Sequence, residues 1–208
     1  MTLVVSAERL RAVLGPVHPI DEDAVRRLVE YTKVLDRWAA RQRLVGWRRA
    51  EALLADGLRD AWSAVPLLAE SVAPIVDVGS GSGLPALVYA SGLPDRVMHL
   101  VESRRKRVSF LREAVRVMGV SSVVIHHGRT EDIYAEQAFD PEGCILTSRA
   151  FAAPVEVLEL GASWGVGSCL ITSSTDKIPS TPPRGWSEHD RRPSRPFADS
   201  EHVFYRPL

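Results

Sequence analysis

Two cysteines in 208 residues are too few to build a disulfide framework. Cys144 and Cys169 lie inside apolar, strand-like runs, which reads as two buried free thiols and a cytosolic location. Long apolar runs are missing as well: none approaches the roughly 20 residues that cross a bilayer, so no membrane partner is expected. The start, Met1-Thr-Leu-Val-Val-Ser6, lacks the basic flank and longer apolar stretch of a secretory signal. No excess of charge is present either. With 26 basic and 26 acidic side chains the formal net charge is zero, which argues against strong, general nucleic-acid binding and leaves room only for a local basic patch. No metal-ligating set is expected. What remains is ordinary globular composition, 45% apolar and 25% charged, in a length that suits one sizeable domain or a domain with an appendage.

The stretch around which the rest is placed is Ala73-Pro-Ile-Val-Asp77-Val-Gly79-Ser80-Gly81-Ser-Gly83-Leu84-Pro85. Ile75, Val76 and Val78 form a short β-branched run, as a buried strand does. Three glycines at alternate positions allow tight dihedrals and close approach of a ligand to the main chain. Pro85 suits the first turn of a helix, whose free N–H groups favour a negative group. Asp77, two residues before the first glycine, suits a ligand with cationic groups, such as an ammonium or a sulfonium. About 20 residues on, a second strand, Met98-His-Leu-Val101, ends in Glu102, whose carboxylate can accept both hydroxyls of a ribose. The bland reading is an ordinary glycine turn and two surface acids. Together the features look like a class I S-adenosylmethionine (SAM) methyltransferase.

Taken in order, residues 1–70 read as a helical region and 71–208 as the nucleotide-binding domain. Ala7 to Leu14 is a short amphipathic helix; Asp21 is an N-cap for a second, with Leu28, Val29, Val34, Leu35 and Trp38 near helical spacing. Arg37, Arg41, Arg43, Arg48 and Arg49 then interleave with Trp38 and Trp47. Two readings stand: an RNA-facing surface, or a solvated helix face with its tryptophans in the core. One helix is expected from Ala50 to Glu70. Beyond the glycine turn, strands are expected at 97–101, 123–126, 144–148 and 166–172. Helices are expected between them, the long one over Arg104–Met118 capped by Ser103 and the next capped by Thr130. Asp176 to Ser200 reads as irregular or a loose hairpin, and His202–Tyr205 as a last edge strand. Such alternation gives an α/β, Rossmann-like fold: a doubly wound, mostly parallel sheet with an N-terminal helical extension. Its ligand crevice lies outside the carboxyl ends of the strands, where Gly79–Gly83, Glu102, Arg129 and Arg149 fall.

In Val76-Asp-Val-Gly-Ser-Gly-Ser-Gly-Leu-Pro85, Glu102 with Arg105-Lys-Arg107-Val-Ser-Phe-Leu-Arg112, Gly128-Arg-Thr-Glu131 and Ser148-Arg-Ala-Phe151, the chain resembles the bacterial 16S ribosomal RNA guanine-N7 methyltransferases, also called glucose-inhibited division protein B. Tyr31, Leu35 and Trp38 extend the likeness into the helices. The resemblance implies SAM as cofactor and 16S rRNA or the small ribosomal subunit as partner. By it Asp77, Gly79, Ser80, Gly81, Gly83 and Leu84 form the cofactor turn, Glu102 binds the ribose, Thr130 and Glu131 flank the adenine, and Arg149 sits between cofactor and substrate as the catalytic residue. The residues leave Arg149 a second reading, a structural ion pair with Glu131 or Asp132. His126 and His127 read as packing or surface, since guanine N7 needs no base. The family's His-x-x-Asp-Ser element stands here as Gly57-Leu-Arg-Asp60-Ala61, which keeps only the acid, and Ser173-Ser174 stand where a lysine is common. Those departures leave two alternatives: a methyltransferase of the same fold acting on a small molecule or another RNA, and a non-catalytic SAM-binding protein.

Overall fold

The computed structural model describes residues 2–42, 44–149, 151–194 and 200–208. Arg43 of the basic segment and Ala150 therefore lie outside the described residues, as do residues 195–199 of the stretch expected to be irregular or a loose hairpin.

Two helices open the chain, α1 (Ala7–Leu14) and α2 (Glu22–Ala39). Each starts at a residue whose side chain accepts an orphan N–H of the first turn: Ser6 from Arg9, and Asp21 from Ala24. The single helix expected over 50–70 is instead broken. It runs as α3 (Ala50–Leu53), a π-helical turn (Leu54–Leu58), α4 (Arg59–Trp62) and α5 (Val65–Ala69). The wide turn contains Gly57, where an added Cβ would stand 3.2 Å from the Trp47 ring and from Leu53, so the chain is close-packed where it widens. Pro66 lies in the first turn of α5, where its missing N–H costs nothing.

The remainder alternates: β1 (Ile75–Val78), α6 (Ala86–Gly92), β2 (Met98–Glu102), α7 (Arg105–Met118), β3 (Val123–His127), α8 (Thr130–Ala135), β4 (Ile145–Arg149), α9 (Pro154–Trp164) and β5 (Ser168–Ser174). A hairpin, β6 (Trp186–Pro193) and β7 (Ser200–Pro207), follows. The strands form one sheet in the order β3-β2-β1-β4-β5-β7-β6. The first five pair in parallel, while β7 runs antiparallel to β5 and β6 antiparallel to β7. The doubly wound reading holds. The segment 176–200, expected as irregular chain or a loose hairpin, supplies one strand of a hairpin with β7, and β6, not β7, forms the sheet edge. Apolar residues along β7, with Val203, Phe204 and Tyr205 all buried, explain why that strand needs cover on both sides.

Two further expectations change. Thr130 does not cap α8, which begins without a side-chain cap, and Ser103 does not cap α7. The Glu102 carboxylate does that work, accepting the Arg104 N–H at 2.8 Å. Both faces of the sheet are buried. One packs Ile75, Leu100, Ile145 and Leu170 against α6, α7 and the N-terminal helices in a single core. The other packs Val76, Val78, Val101, Leu146 and Ile171 against α9. The helical region is thus bonded to the sheet by shared core, and Tyr31 of α2 donates its hydroxyl to the Ser82 carbonyl at 2.9 Å, bracing the glycine turn. Among the described residues no helix is long and apolar enough to cross a membrane.

Candidate active site

The glycine turn leaves β1 at its carboxyl end and lies beside β4, where the winding of the sheet reverses. The Gly79 and Ser80 N–H groups donate to the Val101 carbonyl at 2.9 and 3.1 Å, which folds the turn over the end of β2. Gly79 has φ of 69°, and a Cβ there would fall 2.5 Å from the Phe151 ring, so both backbone and space exclude a side chain. Gly81 has φ of 56° with nothing nearer than 3.5 Å, so there the dihedral alone makes the demand.

Glu102 ends β2 with only 3% of its surface exposed. Its Oε2 accepts the Gly81 N–H at 2.9 Å and its Oε1 the Arg104 N–H. The Arg107 guanidinium lies 3.6 Å from Oε2. One carboxylate therefore ties the glycine turn to the start of α7. Asp77, inside β1, is 1% exposed. Its Oδ1 accepts the Thr147 hydroxyl of β4 at 3.0 Å, while Oδ2 has no hydrogen-bond partner among the described residues. Burial pushes its carboxyl up to about 7, against the downward pull of its hydrogen bonds and with a smaller push from Glu102.

Two cavities open at this edge of the sheet. One, of about 320 Å³, is lined by Gly79, Glu102, Arg107, Thr130 and Glu131, with Phe151 as a wall. The other, of about 760 Å³, is lined by Asp60, Arg149, Thr172 and Lys177, again with Phe151 as a wall. So Gly79, Glu102, Thr130 and Glu131 share the smaller cavity. Ser80 and Gly83 brace the turn behind it through the Gly83 N–H to the Ser80 carbonyl, at 2.7 Å, and Leu84 is packed in the core.

Arg149, at the end of β4, belongs to the larger cavity. The ion pair foreseen with Glu131 or Asp132 is not formed. Arg149 Nη2 instead meets Asp60 Oδ2 at 3.0 Å and the Asp56 carbonyl at 2.7 Å, and the guanidinium lies 5.7 Å from the Trp47 ring centre. The reason is that Arg149 points across the sheet edge toward the helical region, whereas Glu131 opens α8 on the other side of Phe151. Asp60 is held in turn by its neighbourhood: its carbonyl accepts from Ser63, and His202 Nε2 lies 3.0 Å from it while His202 Nδ1 meets Thr172 Oγ1 at 2.8 Å. Burial pushes the His202 imidazole down against the pull of Asp60. Asp60 appeared in the sequence only as a surviving acid; with Asp56 and Arg59 close by in the chain, nothing local singled it out as the partner of Arg149.

The arginine–tryptophan segment divides. Trp38 donates to Glu113 at 2.7 Å, beside an Arg37–Glu113 ion pair, and packs edge-on against Phe110, so these two belong to the α2–α7 contact. Trp47 lies beneath Arg149. Arg41 is exposed and shares a groove with Lys106. His126 faces His99 at 2.9 Å, in neither cavity, and burial pushes both imidazoles down, His99 to about 4.

Comparison with known proteins accords with this architecture. The family model described as "GidB: rRNA small subunit methyltransferase G" matches residues 24–165. A relative from Laribacter hongkongensis, "Ribosomal RNA small subunit methyltransferase G", is 33% identical over 133 residues, 64% of this chain and 61% of the relative. One of the same name from Neisseria meningitidis serogroup B is 32% identical over 165 residues, 76% of this chain and 77% of that one. Among solved structures, the "putative methyltransferase yhhF" of Escherichia coli superposes with a TM-score of 0.56 at 16% identity, over 72% of this chain and 86% of that one. A mutant of MtNAS in complex with S-adenosylmethionine also reaches 0.56, at 14% identity over 98% and 84%. At those identities the structures show a shared Rossmann-like methyltransferase fold. With its match running from α2 through α9, the chain belongs to the GidB family, the rRNA small subunit methyltransferase G proteins, and its cofactor is SAM.

Proposed function

We propose that this protein transfers a methyl group to N7 of a guanine in 16S rRNA, with the smaller cavity holding SAM and the larger one the acceptor base. The observation that carries the reading is the pair of cavities meeting at Phe151, on the carboxyl edge of the sheet. The residues of the smaller cavity suit SAM. Asp77, behind the turn and lining neither cavity, keeps a buried oxygen without a partner among the described residues, which a cationic amine reaching it satisfies. The close backbone at Gly79 makes room for the amino acid part, and Glu102 and the Thr130–Glu131 pair suit ribose and adenine. When bound, SAM supplies an electrophilic methyl.

What the chain itself contributes is position and field. Guanine N7 is a ring lone pair, so no proton has to be removed before attack. Catalysis then rests on orientation and on charges fixed before the reaction. Arg149 does not bind a sulfonium, since like charges repel; it donates to O6 of the base or to a phosphate beside it. The helical region 1–70 is the substrate-facing part, because Asp60 and Trp47 come from it, and 71–208 carry the cofactor. Exposed Arg41, Arg104, Arg105 and Lys106 supply the local positive surface that a neutral chain needs to meet RNA phosphates. The cytoplasm is the compartment that such a substrate requires.

The test is mass-spectrometric mapping of methylated nucleosides in small-subunit RNA from cells with and without the gene. Loss of one 7-methylguanosine supports the reading; an unchanged map refutes it. Arg149 is tested beside it by transfer from labelled SAM to purified small subunits. Arg149→Lys keeps the charge but loses the fork, so it lowers turnover while melting near wild type. Arg149→Ala strands the buried Asp60 carboxylate, at a cost of about 3–5 kcal/mol, so it both melts early and loses activity. Full activity in the lysine variant removes Arg149 from catalysis.

A further inference from the structure

The buried pair Asp60–Arg149 carries more than an ion pair. Asp60 is 3% exposed and lines the larger cavity, and its Oδ1 has no hydrogen-bond partner among the described residues. Arg149 is in the same position: Nη2 is spent on Asp60 Oδ2 and the Asp56 carbonyl, while Nη1 is buried without a partner among the described residues. A buried acceptor left open beside a buried donor left open is costly unless something completes both. Both residues line one cavity and are joined to each other, so with a small opening of the pair they suit a ligand edge with an acceptor and a donor side by side.

We propose that Asp60 and Arg149 together read the O6/N1–H edge of the acceptor guanine, Arg149 Nη1 donating to O6 and Asp60 Oδ1 accepting from N1–H. The inference rests on the functional reading above and adds a specificity residue to it. Adenine presents a donor where guanine has O6 and an acceptor where it has N1–H, so at this pair it meets donor against donor and acceptor against acceptor. Two open buried groups then face like groups, which a site built to hydrogen-bond its substrate rejects strongly. Within the guanine ring system N7 lies on the far side of O6 from N1. A base held by this edge therefore keeps N7 away from Asp60 and leaves it free toward Phe151, the wall shared with the smaller cavity. The rest of the surroundings hold Asp60 fixed: His202 and Ser63 both meet its main-chain carbonyl and leave the carboxylate to Arg149.

The experiment replaces the acceptor and keeps the protein whole. The methylated position is mapped first. Small subunits are then reconstituted with ligated 16S rRNA carrying guanine, hypoxanthine or 2,6-diaminopurine at that position. Hypoxanthine keeps O6 and N1–H; 2,6-diaminopurine keeps N7 and the shape but reverses the pattern at that edge. The wild-type protein is expected to accept guanine and hypoxanthine with kcat/KM within a few-fold of each other and to disfavour 2,6-diaminopurine by roughly 100-fold. Asp60→Asn offers a donor as well as an acceptor, so the guanine preference is expected to shrink to roughly tenfold or less while SAM affinity by calorimetry stays unchanged. A wild-type preference under about threefold for guanine over 2,6-diaminopurine overturns the proposal, and that result needs no variant. An undiminished preference in Asp60→Asn with a normal melting curve overturns the part given to Asp60. If no small subunit is methylated, guanine included, the failure is that of the functional reading and the proposal goes with it.

Discussion

Replacing Asp77 by asparagine removes a carboxyl that sits 1% exposed inside β1, with one oxygen bonded to Thr147 and the other without a partner among the described residues. Burial raises this group from 3.8 to about 7. Below about pH 4 folded and unfolded chains both carry the proton, and the site costs nothing extra. Between about pH 4 and 7 the folded chain holds a proton that the unfolded chain releases, so stability from this group falls as pH rises. Above about pH 7 the folded chain carries a buried anion, and the loss is complete at roughly 4 kcal/mol. The amide introduced by Asp77→Asn does not titrate. The difference in stability between Asp77→Asn and wild type should therefore grow in favour of the variant by roughly 3 kcal/mol from about pH 5 to about pH 8. In a chain of this size that is a relative gain of about 6–12 °C in melting temperature. The slope with pH is the observable; a constant offset reflects only the amide left in place of the open oxygen. Thermal melting of the two proteins without cofactor, across that range, measures it. A pH-independent difference refutes the buried, titrating carboxyl. If the open oxygen receives the cationic amine of SAM, binding near about pH 6 also releases a proton, which calorimetry in buffers of unlike ionisation heat detects.

Two other expectations follow from the same geometry. Glu102→Gln leaves one carbonyl where two N–H groups now find oxygens, so it should lower stability by about 1–3 kcal/mol and weaken SAM by roughly 10–100-fold; equal affinity in titration calorimetry removes Glu102 from the cofactor site. Exchanging both Arg41 and Lys106 for alanine should reduce the salt slope of RNA binding by roughly 1.5–2 and leave SAM affinity alone, whereas a slope identical to wild type makes this groove a merely solvated face.

The glycine turn and Glu102, which we assign to the cofactor, were legible in the sequence because they are local. A β-branched run, glycines that must take positive φ, and an acid at the end of the next strand are set by neighbours a few residues away, so Gly79, Gly81 and Glu102 fall where their spacing puts them. The parallel sheet followed from alternation of apolar strands and amphipathic helices. Other features needed the third dimension. The 50–70 segment has an apolar pattern that one helix would satisfy, and only packing of Trp47 and Leu53 against Gly57 accompanies its break into four pieces. The polar composition of 176–200 hid β6, because a strand at a sheet edge takes its order from its partner β7 rather than from its own apolar content. The partner of Arg149 was the largest surprise. Local charge pointed to Glu131 and Asp132, yet β4 delivers the guanidinium to Asp60, from a helix in the other half of the chain. Spacing along the chain cannot encode that choice. It depends on which side of Phe151 each charge falls once the sheet has closed against the helical region, and on the burial of Asp60 beside β4, where the Arg149 guanidinium ends.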